Sequence, residues 1–89
     1  MIPRITDEFR KSFDALPKEV QSKALSKFKI WKNNPGHPSL RFKQIHNSKP
    51  VYSIRISIGF RALGLKEDAT IIWFWIGSHS DYDKLLKNL

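Results

Sequence analysis

Hydrophobic residues near the start of the chain recur at the spacing of an α-helix. Phe9, Phe13 and Leu16 would share one helix face, because residues three or four positions apart are neighbours there. Thr6 precedes them and belongs to the residue types that cap a helix N-terminus. The pattern predicts a short first helix over residues 7–15.

A second helical stripe begins after Pro17, a residue that suits the first turn of a helix. Its apolar members follow at steps of four, four and three: Val20, Ala24, Phe28 and Trp31. The sequence NNPG at residues 33–36 ends this helix, since Pro and Gly interrupt helices. We expect the two helices to form an antiparallel hairpin with one apolar face.

The hydrophobic period changes to two in the second half of the chain, which predicts strands. In the segment LRFK at residues 40–43, the two apolar residues face one way, and Arg41 and Lys43 face the other. Residues 51–58 alternate more clearly, and residues 60–66 can pair with them through a turn at Gly59. Residues 70–77 (TIIWFWIG) are apolar on both faces, as expected of a central strand covered on both sides.

A last helix is predicted over residues 81–89, because Ser80 followed by Asp83 resembles a capping box. Residues 2–5 are compatible with a short additional strand. The predicted fold class is therefore α+β in a single domain, residues 1–89. Two N-terminal helices pack on one face of an antiparallel four-stranded sheet, and a short C-terminal helix follows.

The charge of this chain is concentrated in its middle. Between Val20 and Lys66 there are ten Lys or Arg residues and no Asp or Glu, within a formal net charge of +8. The sheet face opposite the helices would carry Arg41, Lys43 and Arg55, and such a surface attracts polyanions by releasing their counterions. Solubility alone is the alternative explanation, but the distribution favours a surface for nucleic acid or the ribosome.

Several classes of protein are excluded by composition. The chain has no cysteine, so a disulfide framework, a thiolate metal site and a cysteine nucleophile are absent. Its three histidines are too scattered to suggest a metal site, and we expect no cofactor. No segment resembles a signal peptide or approaches the roughly 20 apolar residues of a membrane span. We expect a cytoplasmic protein.

Four segments together resemble the RelE/ParE toxin superfamily of bacterial toxin–antitoxin systems. They are LRFKQI, VYSIRIS, GFRALG and IIWFWIGSHSDYDKLL, in the element order described above. The arginine-bearing strand pair and the closing strand that ends in IGSHSDYD are the most specific of these. The resemblance covers nearly the whole chain.

This resemblance implies a cytosolic toxin that an acidic antitoxin wraps and inactivates. RelE-like members enter the ribosomal A site, where they contact rRNA and cut mRNA, whereas ParE-like members inhibit DNA gyrase. We favour a ribosome-dependent mRNA endoribonuclease that works without a metal. The alternatives are a ParE-like gyrase inhibitor without catalytic activity and a non-toxic RNA-binding domain.

The resemblance also implies a catalytic set around His79. Several RelE-like nucleases place a catalytic His or Arg there, and histidine exchanges protons near physiological pH. Arg61 and Arg55 match basic positions that hold the scissile phosphate, although they could instead pair with carboxylates of the last helix. Tyr82 lies close to the family's C-terminal aromatic, which positions a base. The adjacent acids, Asp81 or Asp83, are expected to orient His79 or pair with an arginine.

Three further residues are predicted to bind RNA. Lys43 and Arg41 resemble auxiliary basic positions of the family that anchor phosphates, although a solvated edge strand would also explain them. His46 lies in or near a loop between strands, where some family nucleases carry a second histidine.

Overall fold

The computed structural model describes residues 1–88 as a five-stranded sheet with helices on both faces. The helices are α1 (Asp7–Asp14), α2 (Lys18–Asn33) and α3 (His79–Lys87). The strands are β1 (Ile2–Ile5), β2 (Lys43–Gln44), β3 (Val51–Ser57), β4 (Phe60–Glu67) and β5 (Thr70–Ser78), in the sheet order β1-β5-β4-β3-β2. The predicted α+β class, with two N-terminal helices and a short C-terminal helix, is confirmed.

The sheet has one strand more than the four predicted. β1 pairs in parallel with β5, so that Ile2 lies opposite Thr70 and Ile5 opposite Trp73. The backbone N–H of Ile2 donates to Ala69 O at 2.7 Å. All four β1 residues are exposed, so no buried apolar alternation marks this strand in the sequence.

Aromatic rings fill the core between the helix hairpin and the sheet. Trp31 and Trp73 are both 1% exposed, and their ring centroids lie 5.4 Å apart at 78°. Phe28 meets Trp73 edge to face at 5.0 Å. Such pairs contribute about 0.5–1.5 kcal/mol each beyond area burial. This offsets part of the cost of two buried indole N–H groups that have no hydrogen-bond partner within residues 1–88. The predicted stripe on α2 is confirmed as a core face.

The opposite sheet face is not the open basic surface that the sequence suggested. α3 covers part of it, and Tyr82 packs into a second cluster with Val51 and Leu63. Leu85 and Leu86 also pack against this cluster, which gives α3 an apolar side. Only part of this sheet face is therefore left open by α3.

A bulge between β4 and β5 interrupts the alternation of the central strand. Leu63 lies opposite Trp75, but the next residue, Gly64, lies opposite Trp73, so Phe74 is the extra residue. Phe74 and Trp75 consequently pack against the same cluster, on the α3 side. Gly64 has no room for a side chain, because a Cβ would lie 2.7 Å from Ile71 Cγ1 and 2.8 Å from Trp73 Cε3.

The strand predicted over residues 40–43 is wrong for its first three residues, because β2 begins only at Lys43. A 3₁₀ turn covers Pro38–Leu40, and Arg41 follows with a left-handed φ of 48°. The ring of His37 accepts a hydrogen bond from the Ser39 N–H at 3.2 Å and so caps this turn. Only Lys43–Gln44 pair with β3, so Arg41 lies on a turn and not on a strand.

The start of the last helix also differs from the prediction. α3 begins at His79, two residues before the predicted start, and its N-cap is Ser78 instead of Ser80. The Ser78 hydroxyl accepts a hydrogen bond from the Asp81 N–H at 3.2 Å. Ser78 and Asp81 have the same spacing as Ser80 and Asp83, so the motif occurs twice and the sequence alone could not choose between them. Leu89, the predicted last residue of this helix, lies outside the described residues.

Candidate active site and nucleic-acid interface

His79 lies at the junction between the central strand and the last helix, as predicted. It is the first residue of α3, directly after the Ser78 cap. Its backbone N–H donates to Gly59 O at 2.8 Å. This bond ties the start of α3 to the β3–β4 turn, so His79 is fixed at one end of the sheet.

An acid one helical turn away holds the imidazole. His79 Nδ1 lies 3.2 Å from Asp83 Oδ2, and the two side chains are 47% and 56% exposed. With Nδ1 engaged by the carboxylate, Nε2 is the ring nitrogen available for proton exchange with a ligand. Of the two expected roles for the neighbouring acids, orientation of His79 is the one that Asp83 has in this structure.

The two arginines of the β3–β4 hairpin form the centre of a positive cluster. Arg55 and Arg61 are direct cross-strand partners, and like charges in such positions repel. The pKa of Arg61 is lowered, first by burial and then by the charge of Arg55, with a smaller contribution from Arg41; Tyr82 and Asp83 act in the opposite direction. The charges that act on Arg61 thus belong to three other predicted site residues, Arg55, Arg41 and Tyr82, and to Asp83.

Arg61 also has a structural role that the sequence did not indicate. Its guanidinium Nη1 donates to the backbone carbonyl oxygens of Ser57, Phe60 (2.9 Å) and Ile58 (3.3 Å), which closes the β3–β4 turn. No carboxylate within residues 1–88 forms an ion pair with an arginine, so the alternative pairing with acids of α3 is not found. Because these bonds all use Nη1, the donors on Nη2 and Nε are left for an anion.

Tyr82 is more enclosed than a base-stacking residue in an open cleft would be. Its side chain is in the core at 8% exposure, with its ring centroid 6.4 Å from Trp75 and 6.0 Å from His79. The Trp75 ring lies over Gly77, where a Cβ would be 2.7 Å from its Cζ2 atom, and Gly77 is the cross-strand partner of Arg61. The Trp75 ring thus covers the residue that pairs with Arg61 across the sheet.

Trp75 lies next to the site, although it was not among the site residues predicted from the sequence. The bulge at Phe74 places Trp75 on the α3 side, and a pattern of alternation could not reveal that bulge. The sequence did contain one signal for the position of the Trp75 ring. Gly77 follows two residues later in the same strand, and a residue without a side chain leaves room for an indole ring to lie over it.

Two of the predicted RNA-binding residues, Lys43 and His46, lie in or just after the edge strand β2. Lys43 is paired with Ser53, two residues before Arg55 on the same face, and is exposed. His46 has a local role, since its Nδ1 accepts hydrogen bonds from the N–H groups of Lys49 (3.1 Å) and Ser48 (3.2 Å). The structure therefore brings Lys43 to the basic face and places His46 in the β2–β3 loop.

Neither a metal-binding group nor a membrane-spanning helix is found among the described residues. Within residues 1–88 there is no group of three or more His, Asp or Glu side chains arranged to hold a metal ion. Among the same residues, no helix is both long and apolar enough to cross a bilayer. The groups described in the candidate site are guanidinium, imidazole, carboxylate and aromatic side chains, whose chemistry is anion binding and proton exchange.

Residues 18–84, most of the chain and the whole basic cluster, match the model of the ParE-like toxin domain. The chain belongs to this family. The match runs from the first residue of α2 into α3, so it includes every predicted site residue. None of the curated proteins is significantly similar in sequence to this ParE-like domain.

Solved structures of toxins share the fold of the ParE-like domain at low sequence identity. YafQ from E. coli strain BL21(DE3) is similar with a TM-score of 0.72 and 13% identity, over 90% of this chain and 94% of YafQ. A chain of the RelB–RelE antitoxin–toxin complex from Methanococcus jannaschii gives 0.73 and 19%, over 91% and 96%. A chain of the toxin–antitoxin complex RelBE2 from Mycobacterium tuberculosis gives 0.70 and 17%, over 88% and 96%. The predicted RelE/ParE resemblance is confirmed.

Proposed function

We propose that this ParE-like domain is the toxin of a type II toxin–antitoxin system and cleaves mRNA on the ribosome. The observation that carries the proposal is a histidine held by a carboxylate beside a cluster of arginines. His79 and Asp83 are 3.2 Å apart at one end of the sheet, and Asp83 is also among the charges that act on Arg61. Cleavage of a phosphodiester needs proton transfer, which the histidine can supply, and stabilisation of negative charge, which the arginines can supply.

The proposed reaction uses the 2′-hydroxyl of the RNA as its nucleophile. The 2′-oxygen attacks the adjacent phosphorus, the bond to the 5′-oxygen breaks, and the products carry a 2′,3′-cyclic phosphate and a 5′-hydroxyl. His79, as the imidazolium that Asp83 stabilises, donates its Nε2 proton to the departing 5′-oxygen. The proton of the 2′-hydroxyl passes to solvent water, and the imidazole regains a proton from solvent after the cleavage. The free donors of Arg61, together with Arg55, stabilise the negative charge that develops on the phosphate oxygens.

The remaining predicted residues would position the RNA. Lys43 and Arg41 would anchor phosphates beside the reacting one, with His46 in reach of the strand at the β2–β3 loop. Tyr82, which is 8% exposed and packs against Trp75, would help to position a base at the rim of the site. Because Tyr82 is also a core residue, its replacement is expected to lower stability as well as activity.

An acidic antitoxin is the partner that this surface favours. The arginine cluster has no carboxylate partner among residues 1–88, and two of the similar folds come from complexes of a toxin with its antitoxin. An acidic, partly disordered segment would order on binding to these charges in the cytoplasm. A protein encoded by a neighbouring gene with an acidic tail should raise the melting temperature of the toxin; an unchanged melting temperature would contradict this partner.

The function is tested by expressing the chain in bacteria and mapping RNA 5′ ends across the transcriptome. A His79→Ala variant, expressed at the same level, is the control. New 5′ ends within translated frames that are absent from the variant would support a ribosome-dependent nuclease that uses His79. Growth arrest by both proteins without new 5′ ends would contradict it.

A gyrase inhibitor is the second candidate, because the matching family model describes a ParE-like toxin. In that case His79→Ala would remain toxic, since no proton transfer is needed, and the damage would appear in DNA. Purified gyrase assayed for supercoiling with the wild-type chain separates the two functions.

A further inference from the structure

Two adjacent depressions form a groove between α2 and the edge of β3. They have volumes of about 390 and 430 Å³ and share three lining residues, Lys27, Ile56 and Ser57. The first depression is also lined by Pro38, Ser39, Arg41 and Arg55, and the second by Ser22, Lys23 and Ser26. We call this surface the α2–β3 groove.

The groove exists because β2 is short. β2 pairs with β3 only at Tyr52 and Ser53, so on this side of β3 the residues from Arg55 to Ser57 have no strand partner among residues 1–88, while their other side pairs with β4. Arg41, with its left-handed φ of 48°, turns the chain where a longer β2 would have covered that edge. The exposed edge therefore lies open beside α2.

The polar groups of the groove are all cations or hydroxyls. Its lining residues fall within the acid-free part of the chain, and none carries a carboxylate. Lys27 differs from the other four lysines of α2, which are exposed, because its side chain is half-buried. A lysine held partly in a groove loses hydration and rotamer freedom, and an anion would compensate for that loss.

We infer that the α2–β3 groove binds the phosphodiester backbone of the RNA strand whose reacting phosphate lies at Arg61. This inference rests on the proposed function and extends its binding surface. Arg55 belongs both to the groove and to the cluster around Arg61, so the two positions are contiguous. The strand would run from His79 across the β3–β4 hairpin and along α2, with Lys27 and Arg41 each contacting a phosphate.

The chemistry of the groove favours a phosphate backbone over an acidic peptide. Protein partners are held mainly by large apolar and aromatic anchors, whereas Ser, Lys and Arg are typical phosphate contacts. The only apolar side chains of the groove are Pro38 and the buried Ile56. An apolar cleft of about 520 Å³ lies elsewhere, against α1, and includes Phe9, Leu25 and Phe28.

The test measures binding of a short single-stranded RNA carrying 2′-O-methyl groups, which prevent its cleavage. The variant is the double substitution Lys27→Gln with Arg41→Asn, because Asn tolerates the left-handed backbone at position 41. Lys29→Gln is the matched control, since it removes one charge from the opposite side of the same helix. Fluorescence anisotropy is recorded over a series of salt concentrations.

The expected result is a lower salt dependence for the double variant. Loss of two phosphate contacts should reduce the slope of log K against log salt by about 1.4, while Lys29→Gln leaves it unchanged. An unchanged slope in a folded double variant would overturn the inference. Should the variant not fold, amide NMR shifts of wild-type Ser26 and Ser57 on adding the RNA decide it, and shifts confined to α3 would overturn it.

The outcomes separate this inference from the proposed function. Binding that depends on the groove, together with no cleavage in cells, would leave the inference standing and reject the nuclease. Cleavage that requires His79, together with groove variants that bind RNA like wild type, would support the nuclease and reject the inference about the groove. If binding of an acidic peptide depends on Lys27 and Arg41 but binding of the RNA does not, the groove belongs to a protein partner. That result would overturn the inference.

Discussion

Arg61 serves the fold and the proposed chemistry with different parts of one side chain. Nη1 holds the β3–β4 turn together, while the other nitrogens are left for an anion. The cost is electrostatic, because burial and the neighbouring Arg55 lower the pKa of Arg61. A lowered pKa means that the folded state disfavours the charged form, so this repulsion costs stability at every pH below the folded pKa. It is relieved only as the pH rises through that strongly alkaline value.

Removing Arg55 should therefore stabilise the protein while weakening its binding of RNA. Arg55→Gln is expected to raise the free energy of unfolding by up to about 0.5 kcal/mol, a small value because solvent screens these groups. Urea unfolding at low and high salt measures it, and the gain should shrink as salt increases. A loss of stability at low salt would show that Arg55 is instead held by favourable contacts.

Asp83 is expected to act as a positioning residue for His79. His79→Ala should lower cleavage by about 10²- to 10⁴-fold, the usual contribution of general acid–base catalysis. Asp83→Asn should lower it less, because the ring remains but loses the carboxylate that holds Nδ1. ¹⁵N NMR of the imidazole distinguishes a positional role, since the Nδ1 signal should change in Asp83→Asn. Unchanged Nδ1 and unchanged cleavage would remove Asp83 from the mechanism.

At the scale of elements, helical periodicity was the most reliable signal and loop chemistry the least. The stripe from Val20 to Trp31 predicted α2 and its buried face because that helix packs on the sheet along its length. The strand predicted at residues 40–43 was wrong for residues 40–42, because Pro38 and His37 favour a capped turn that local alternation does not reveal. β1 depends on backbone pairing with β5 and could be suggested but not established from its side chains.

The cap of α3 gives a matched pair of serine substitutions. Ser78→Ala should destabilise the protein by about 1 kcal/mol, because it leaves the Asp81 N–H without its hydrogen bond. Ser80→Ala, two residues later and exposed, should change stability little. Thermal unfolding of both variants measures the difference. Equal effects would mean that the two serines share the capping role.

Two glycines of the β-hairpins provide a second matched pair. Gly64→Ala should destabilise by about 1–3 kcal/mol, since the added methyl overlaps with buried atoms of Ile71 and Trp73. Gly59→Ala has nothing within 4 Å of the new Cβ and should lie within about 0.5 kcal/mol of wild type. Denaturant midpoints provide the comparison. A tolerant Gly64 would indicate that the bulge can shift to make room.

At the scale of the whole molecule, the net charge of +8 provides a surface for anions and also lowers the stability of the folded protein, because like charges repel. The sequence predicted that the basic residues cluster, because no acid interrupts residues 20–66. It could not predict how α3 divides the sheet face, since that depends on the packing of Tyr82, Leu85 and Leu86 against residues distant in the chain. The position of His79 could be predicted because the strand before it, β5, and the helix that it begins, α3, were both predicted from the sequence.

A polyanion should stabilise the free protein by occupying this surface. A 2′-O-methyl RNA at a hundredfold excess over its Kd is expected to add about 2.7 kcal/mol, which raises Tm by roughly 11–22 °C for a domain of this size. Sodium chloride at matched ionic strength is the control and should not reproduce the increase. An equal Tm with and without the RNA would contradict a specific anion surface.

The parallel pairing of β1 with β5 has a consequence for synthesis. Residues 2–5 have no strand partner until residues 70–73 have been made, and the Asp83 that holds His79 is made later still. Contacts between such distant parts of a chain form late, because they require closure of a long loop. A nascent chain that has not reached residue 83 therefore lacks the carboxylate that holds His79, and the candidate site can be assembled only after that residue has been made.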